Sequence, residues 1–310
     1  MNTGQERHES SSTERAGTRL IVPREPRTVN VLHTPDLAAS SESERKRTPV
    51  LPTTHHADFK LSITKALGDQ LAEALTTLTP APLTEENLKS LRGLPGVYQL
   101  RFRGELVYVG KADKSLPVRL GKHLRKLSGR VGIDLEDITF TALYVEEDFS
   151  AVAPEKLLIN RFSAVGEASW NNNGFGINDP GKERDTTVFD PKHFDQIYPA
   201  NLDWVIDGLT PGGQTLFDLL KKVKDSLPYT FRFSREKEHQ ALYQETTVAL
   251  NTTSATADEL FRVISGALPA PWRVVALPGY VILYPNQSVY RSARAFYQRG
   301  NRITEVFSTN

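Results

Sequence analysis

Between residues 98 and 171 the chain sets out, in order, side chains that can move protons or hold charge. Tyr98 ends a Gly-Val-Tyr tripeptide, and Tyr108 opens a Tyr-Val-Gly tripeptide ten positions later, with Lys111 directly after it. Arg119 and His123 are four apart, so on a helix they share one face. Glu155 and then Asn171, which follows Trp170, complete the series. A free phenol titrates near 10 and is a poor proton acceptor at neutral pH. A cation beside it favours the ionised form, and Lys111 or Arg119 can bring that cation to Tyr98. His123, titrating near 6.5, can take the phenol's proton. Each residue also has a plainer duty. Tyrosines pack in strands, Arg119 suits a solvated helix face, and His123 suits a surface. Glu155 favours a helix N-terminus, and Asn171, Asn172 and Asn173 suit a turn. Their joint occurrence in one order is what calls for a chemical reading.

The pattern around these residues gives the elements that position them. Residues 96–102 and 106–109 read as paired strands joined at Arg103-Gly104-Glu105. Residues 117–127 read as a helix with basic residues on its polar side. Residues 138–145 alternate Ile138, Phe140, Ala142 and Tyr144, as a half-buried third strand does. Pro154 suits the first turn of a helix over 155–164. Two helices precede the strands, over 59–78 and from Thr84, where Thr84 is the cap and Glu85 and Glu86 suit the N-terminus. Residues 166–193 are loop-like, rich in Gly, Asn, Asp and Pro, and a loop of that length in a compact domain calls for a job. The fold class expected is mixed α+β, with a small three-stranded antiparallel sheet flanked by helices.

The ordered series, from Gly-Val-Tyr through Tyr-Val-Gly, Arg119, His123 and Glu155 to Asn171, resembles the GIY-YIG nuclease superfamily over residues 95–180. Lys111 after Tyr-Val-Gly, His123 four after Arg119, and Trp-Asn followed by Gly-Phe-Gly and Asp-Pro-Gly are similar to its type II restriction endonuclease branch. The chain departs from that branch in having only a tight turn between the tripeptides and a longer C-terminal third.

The resemblance implies a Mg²⁺-dependent hydrolase of double-stranded DNA, a homodimer at least on DNA, that cuts at a specific site. It implies catalytic roles for Tyr98, Tyr108, Lys111, Arg119, His123, Glu155 and Asn171. Tyr98, or in the alternative Tyr108, is the base toward water. Glu155 supplies a hard oxygen to one Mg²⁺, which neutralises the leaving 3′ oxygen. Arg119 holds nonbridging phosphate oxygens, and Asn171 either positions a phosphate or braces the site. Two other readings remain: a structure-specific repair or mobile-element nuclease, and a DNA-binding protein whose nuclease fold is catalytically silent.

Beyond the motif region, Arg125, Lys126, Lys182 and Arg184 are candidates for contacting nucleic acid. Asn178-Asp179-Pro180-Gly181 reads as a turn beside them. The arginines between Tyr290 and Arg299 read as one basic helix with interleaved aromatics. In the last third, helices are expected over 213–227 and 257–267, and strands over 231–233, 246–250, 273–277 and 280–284. Residues 1–55 are expected to be a disordered arm, since their Ser, Thr, Glu, Arg and Pro cannot bury enough surface to order them. The clusters Arg45-Lys46-Arg47 and His55-His56 fall in or beside it. Residues 56–200 are the expected nuclease domain, and 201–310 an α+β extension for DNA binding or dimerisation.

Composition bounds the classes. The 38 Lys and Arg balance 37 Asp and Glu, so any phosphate affinity must come from local clustering. With no cysteine, disulfides, zinc-thiolate sites and thiol nucleophiles are excluded. No apolar segment suits a secretory signal at the start of the chain or a membrane span. The expectation is a bacterial cytoplasmic protein with no membrane partner.

Overall fold

The computed structural model describes residues 62–145, 154–163, 168–176 and 181–303, and for residues 63, 64, 154, 155, 163 and 183 it describes the backbone. The expected arm, the Arg45-Lys46-Arg47 and His55-His56 clusters and Asn178-Asp179-Pro180 lie outside these. The described residues belong to one compact unit of mixed α+β class. None of their helices is long and apolar enough to cross a membrane.

The N-terminal half opens with α1 (Ile63–Thr76), whose first turn is capped by the Ser62 side chain accepting from the Lys65 amide. Then come a two-residue strand β1 (Ala81–Pro82) and the short α2 (Glu85–Lys89), capped by Thr84 as its sequence predicts. Strands β2 (Gly96–Phe102) and β3 (Glu105–Ala112) form a hairpin, with Phe102 paired to Glu105 across the turn. Helix α3 (Leu116–Ser128), capped by Ser115, leads to β4 (Ile138–Tyr144), which pairs antiparallel with β2. Helix α4 (Pro154–Ser163) follows, with proline in the first turn. The sheet order is β1-β4-β2-β3. It therefore has four strands where the sequence led us to expect three, because Ala81 and Pro82 add to the free edge of β4.

Alternation along the strands divides the residues between two cores. Val97 and Val109 face α1 and α4, packing with Leu71, Leu75 and Leu158. Tyr98, Leu100, Tyr108 and Ala112 face the other way, onto Leu116, Leu120 and Leu127 of α3. A bulge at Leu100 and Arg101 lets Val107 join Tyr108 on the α3 side. The two tyrosines thus share the face covered by α3, because each sits an even number of residues from Gly110 in register.

The connection after α4 contains a 3-10 turn at Ser169–Asn172, a second at Lys182–Arg184, and the short helix α5 (Phe194–Ile197). The C-terminal half runs through β5 (Val205–Asp207), β6 (Gly212–Thr215), α6 (Leu216–Ser226), β7 (Thr230–Phe233), α7 (Lys237–Glu245), β8 (Thr247–Leu250) and β9 (Ser254–Thr256). It ends with α8 (Ala257–Gly266), β10 (Arg273–Ala276), β11 (Tyr280–Tyr284), β12 (Ala295–Gln298) and β13 (Asn301–Ile303). Five strands make a sheet in the order β13-β12-β10-β11-β7, antiparallel except for the β7–β11 pair. Its inner face packs on Leu219, Leu220 and Val223 of α6 and on Leu260, Phe261 and Ile264 of α8. Its outer face, with Val275, Ile282 and Phe296, is covered by Phe189 and Tyr290.

Two expectations are corrected here. The arginine-rich run from Tyr290 to Arg299 is not a helix but a turn followed by β12. Ala295 and Tyr297 point into the inner core while Phe296 points into the outer one. That period-two burial is available to a strand and not to a one-sided helix. The helix expected from residue 213 begins at Leu216, because residues 212–215 pair with β8 and the Thr215 side chain caps α6 through the Asp218 amide.

Candidate active site

Strand β2 carries Tyr98 and helix α3 lies across it, so Arg119 and His123, one turn apart, both reach the same phenol oxygen. The Tyr98 hydroxyl lies 2.6 Å from His123 Nε2, and Arg119 Nε donates to it at 3.2 Å. Tyr108 stands beside them, its ring 6.1 Å from that of Tyr98 and 5.4 Å from that of His123. Gly110 is opposite Tyr98 in the register, and a Cβ there would run into the Tyr98 hydroxyl. The tripeptide glycine is therefore what lets the phenol lie flat across β3. Tyr98 is 0% exposed, and Tyr108 and His123 are 4% exposed each.

The charge states follow from this enclosure. Burial, with Arg119 and Lys126 adding to it, pushes His123 down to about 3. The expectation that His123 titrates near 6.5 is corrected accordingly: a third positive charge beside Arg119 and Lys126 in a closed site is too costly. In its Nδ1–H tautomer neutral His123 has an Nε2 lone pair for the Tyr98 O–H, and the phenol oxygen also accepts from Arg119. Burial also works against the charge of Arg119, but the phenol oxygens of Tyr98 and Tyr108 outweigh it and raise its pKa.

The loop after α4 closes the site. Phe175 stacks on His123 with ring centres 4.9 Å apart and meets Tyr108 edge-on at 4.9 Å. Gly176 lies against the Tyr108 hydroxyl, with no room for a Cβ. Lys126, one turn beyond His123, donates to the Phe175 carbonyl at 2.6 Å and so pins the loop to α3. Trp170 packs on Phe102, Phe175, Phe194 and Tyr198 beneath it.

Of the two duties considered for Asn171, the geometry gives bracing. Its Oδ1 accepts from the Val109 amide at 2.9 Å and its Nδ2 donates to the Val109 carbonyl at 2.7 Å. Strand β3 is the sheet edge, and the asparagine amide stands in for the neighbouring strand it lacks. Lys111 is not gathered with the tyrosines. It pairs in register with Val97, which places it on the α1 and α4 side, and it makes an ion pair with Asp113 at 2.9 Å. Arg119 is therefore the cation at the Tyr98 oxygen. Glu155 stands in the first turn of α4, which packs on β3. Among the described residues no three His, Asp or Glu side chains gather as a metal cage.

The candidates for nucleic-acid contact separate. Arg125, Lys126 and Arg184 line one cavity between α3, the loop before α5 and β7. Lys182 instead lies over the Tyr284 ring at 4.8 Å. Arg184 is engaged within the protein: it hydrogen-bonds His193 at 2.9 Å, meets Asp195 at 3.5 Å and lies over Phe189. In the sequence Phe175 stood out only as part of Gly-Phe-Gly, with no role assigned, and Arg130 and Asp195 did not stand out. The Gly-Phe-Gly setting of Phe175 was the available signal for the first, since glycines flanking one aromatic ring mark close approach. Arg130 and Asp195 carried no local signal, being sixty-five positions apart in the chain.

No known protein-family model matches the chain, and no curated protein matches it.

Proposed function

We propose that the protein is a Mg²⁺-dependent endonuclease of the GIY-YIG kind that hydrolyses double-stranded DNA at a specific site, as type II restriction enzymes do. The observation that carries this reading is the convergence of the Arg119 guanidinium and the His123 imidazole on one tyrosine oxygen. A phenol donating to a neutral imidazole has a route for its own proton, and a guanidinium on the same oxygen stabilises the negative charge left behind. The oxygen then takes a proton from an attacking water, and Arg119 in this reading holds the phosphate as charge develops.

Substrate itself favours the relay. His123 is held neutral partly by the positive charges of Arg119 and Lys126. A phosphodiester anion beside Arg119 cancels part of that field and makes protonation of His123 cheaper. Reaching this state requires the enclosure of the Tyr98 phenol to open, since the side chain has no exposed surface.

Glu155 is the carboxylate that would hold a metal ion. A single carboxylate in a first helical turn suits Mg²⁺, which completes its shell with waters and substrate phosphate rather than an all-protein cage. When bound, the ion supplies positive charge at the leaving oxygen.

Incubating the protein with plasmid DNA and Mg²⁺ tests the proposal. Discrete fragments are the expected result, and structure-dependent nicking would favour the repair-type reading. The complete burial of Tyr98 favours one rival, a catalytically silent DNA-binding protein, and failure to cut any DNA in a mixed library would establish that rival.

A further inference from the structure

Helix α3 also borders, through Lys122, Arg125 and Lys126, a cavity of about 450 Å³. Seven cationic side chains line it against a single carboxylate. They come from separate parts of the chain. Helix α3 gives Lys122, Arg125 and Lys126, and Arg130 follows it. Arg184 comes from the loop before α5, Lys224 from α6 and Arg232 from β7.

Part of this charge has an internal explanation. Arg125 and Lys126 suit the C-terminal end of α3, and Arg125 donates to the carbonyls of Asp225 and Leu227. Arg130 and Arg184 share Asp195, at 3.1 Å and 3.5 Å, and Arg232 pairs with Asp185. These contacts leave a large positive excess, since Lys122, Arg125, Lys126 and Lys224 have no carboxylate among those partners. Arg130 is 3% exposed in its side chain, and its Nε makes no hydrogen bond among the described residues. Cations gathered in a concave, partly dry space focus a positive potential and repel one another until an anion enters. The field is felt at its rim: burial first, then Arg130, Arg184 and Arg119, push Lys126 down to about 8 despite Asp195.

We infer that this cavity is a binding site for phosphate groups of a polyanion, either the backbone of a nucleic-acid strand or a free polyphosphate such as a nucleotide tail. Guanidinium forks match phosphate oxygens in pairs. The volume falls in the range that small ligands occupy. The lone carboxylate of a metabolite would offset only part of the positive excess, whereas consecutive phosphates offset most of it. Helix α3 runs from the tyrosine site to the cavity. Arg119 and Lys126 are seven residues apart, about 10 Å along the helix. A strand bound at Arg119 therefore brings its own neighbouring phosphates to the cavity. The cavity's chemistry does not rest on the proposed cutting reaction.

The test is titration calorimetry of the full chain with sodium tripolyphosphate at low salt, followed by duplex DNA without metal. Expected is saturable, salt-sensitive binding of tripolyphosphate, weakened about tenfold or more by Lys122→Ala with Lys224→Ala, given the strength of charged hydrogen bonds. Neither lysine makes an ion pair among the described residues, so the double variant should fold, and an unchanged thermal midpoint verifies that. Lys126→Met should weaken binding similarly and Lys126→Arg should restore it. If the double variant loses DNA affinity in parallel, the bound phosphates belong to the strand. If DNA affinity is unchanged, the ligand is a free polyphosphate. Tyr98→Phe should bind tripolyphosphate like the parent, which separates this inference from the nuclease proposal. No binding by the parent, or equal binding by the lysine variants, overturns it.

Discussion

The Tyr98 hydroxyl and His123 Nε2 lie 2.6 Å apart inside a site with essentially no exposed surface. With His123 neutral, the tautomer protonated at Nδ1 makes Nε2 the acceptor of the phenol's proton, the arrangement that the proposed relay uses. The pair comes from two elements, β2 and α3, that meet because Leu100 and Tyr108 on one face of the sheet pack on Leu116 and Leu120. The geometry of the Tyr98–His123 pair and the packing of the core are here one arrangement.

Tyr98→Phe removes only the hydroxyl oxygen, so the fold and the DNA affinity should persist. A general base contributes about 10²–10⁴-fold, and the single-turnover cleavage rate should fall by at least that order. His123→Ala should fall similarly. The double variant should be no slower than the slower single one, because residues acting as a unit are not additive. If Tyr98→Phe cuts at the parental rate and Tyr108→Phe does not cut at all, the base is Tyr108.

Glu155→Gln keeps size and removes charge. Under the proposed function, cleavage in Mg²⁺ should be abolished while duplex binding in its absence is retained, because that reading makes the carboxylate the hard ligand and not a DNA contact. Near-parental cutting by this variant, measured on the same plasmid, would remove Glu155 from the site.

The depressed His123 pKa predicts a stability profile. A histidine at about 3 when folded and near 6.5 when unfolded takes up a proton on unfolding between those values. Its contribution is fully present above pH 6.5 and is lost as pH falls toward 3. The size is of order 3–5 kcal/mol at neutral pH, since each tenfold loss of proton affinity on folding is worth about 1.4 kcal/mol. Urea unfolding of the parent and of His123→Gln should therefore show a steeper loss of stability for the parent between pH 6.5 and 4. Parallel profiles would mean that His123 is not held neutral.

The local elements around the site were legible because capping and alternation are local signals. Thr84 before Glu85 and Glu86 and Pro154 in a first turn each appear in the structure where they were expected, and β4 is a strand where alternation predicts one, although Leu143 and buried Thr141 show its second face covered as well. The choice between Lys111 and Arg119 was not legible, since it depends on the register that puts Lys111 opposite Val97 and Gly110 opposite Tyr98. Nor was the His123 pKa, because the loop that buries the ring joins the chain fifty residues later at Phe175. The arginines between Tyr290 and Arg299 misled through composition. Helical spacing of charge was present, but pairing with β10 and β13 from either side overrides local pattern.

Asn171 provides a test of the loop as a structural part of the site. Its side-chain amide satisfies both backbone groups of Val109 on the open edge of β3, the strand that presents Tyr108 and Gly110. Asn171→Ala leaves that N–H and C=O without these partners. Each buried group left unpaired costs about 1–3 kcal/mol, less where water can reach it. Asn171→Asp keeps the acceptor for the Val109 amide but sets a carboxylate oxygen against its carbonyl, so it should be no better than alanine, whereas a role in holding phosphate through hydrogen bonds would make the two differ chiefly in DNA affinity. The expected result is a lower thermal midpoint for both variants, faster hydrogen exchange at Val109 and slower cleavage, with metal-free duplex affinity within a few-fold of the parent. A parental midpoint combined with a large loss of duplex affinity would instead make Asn171 a phosphate contact.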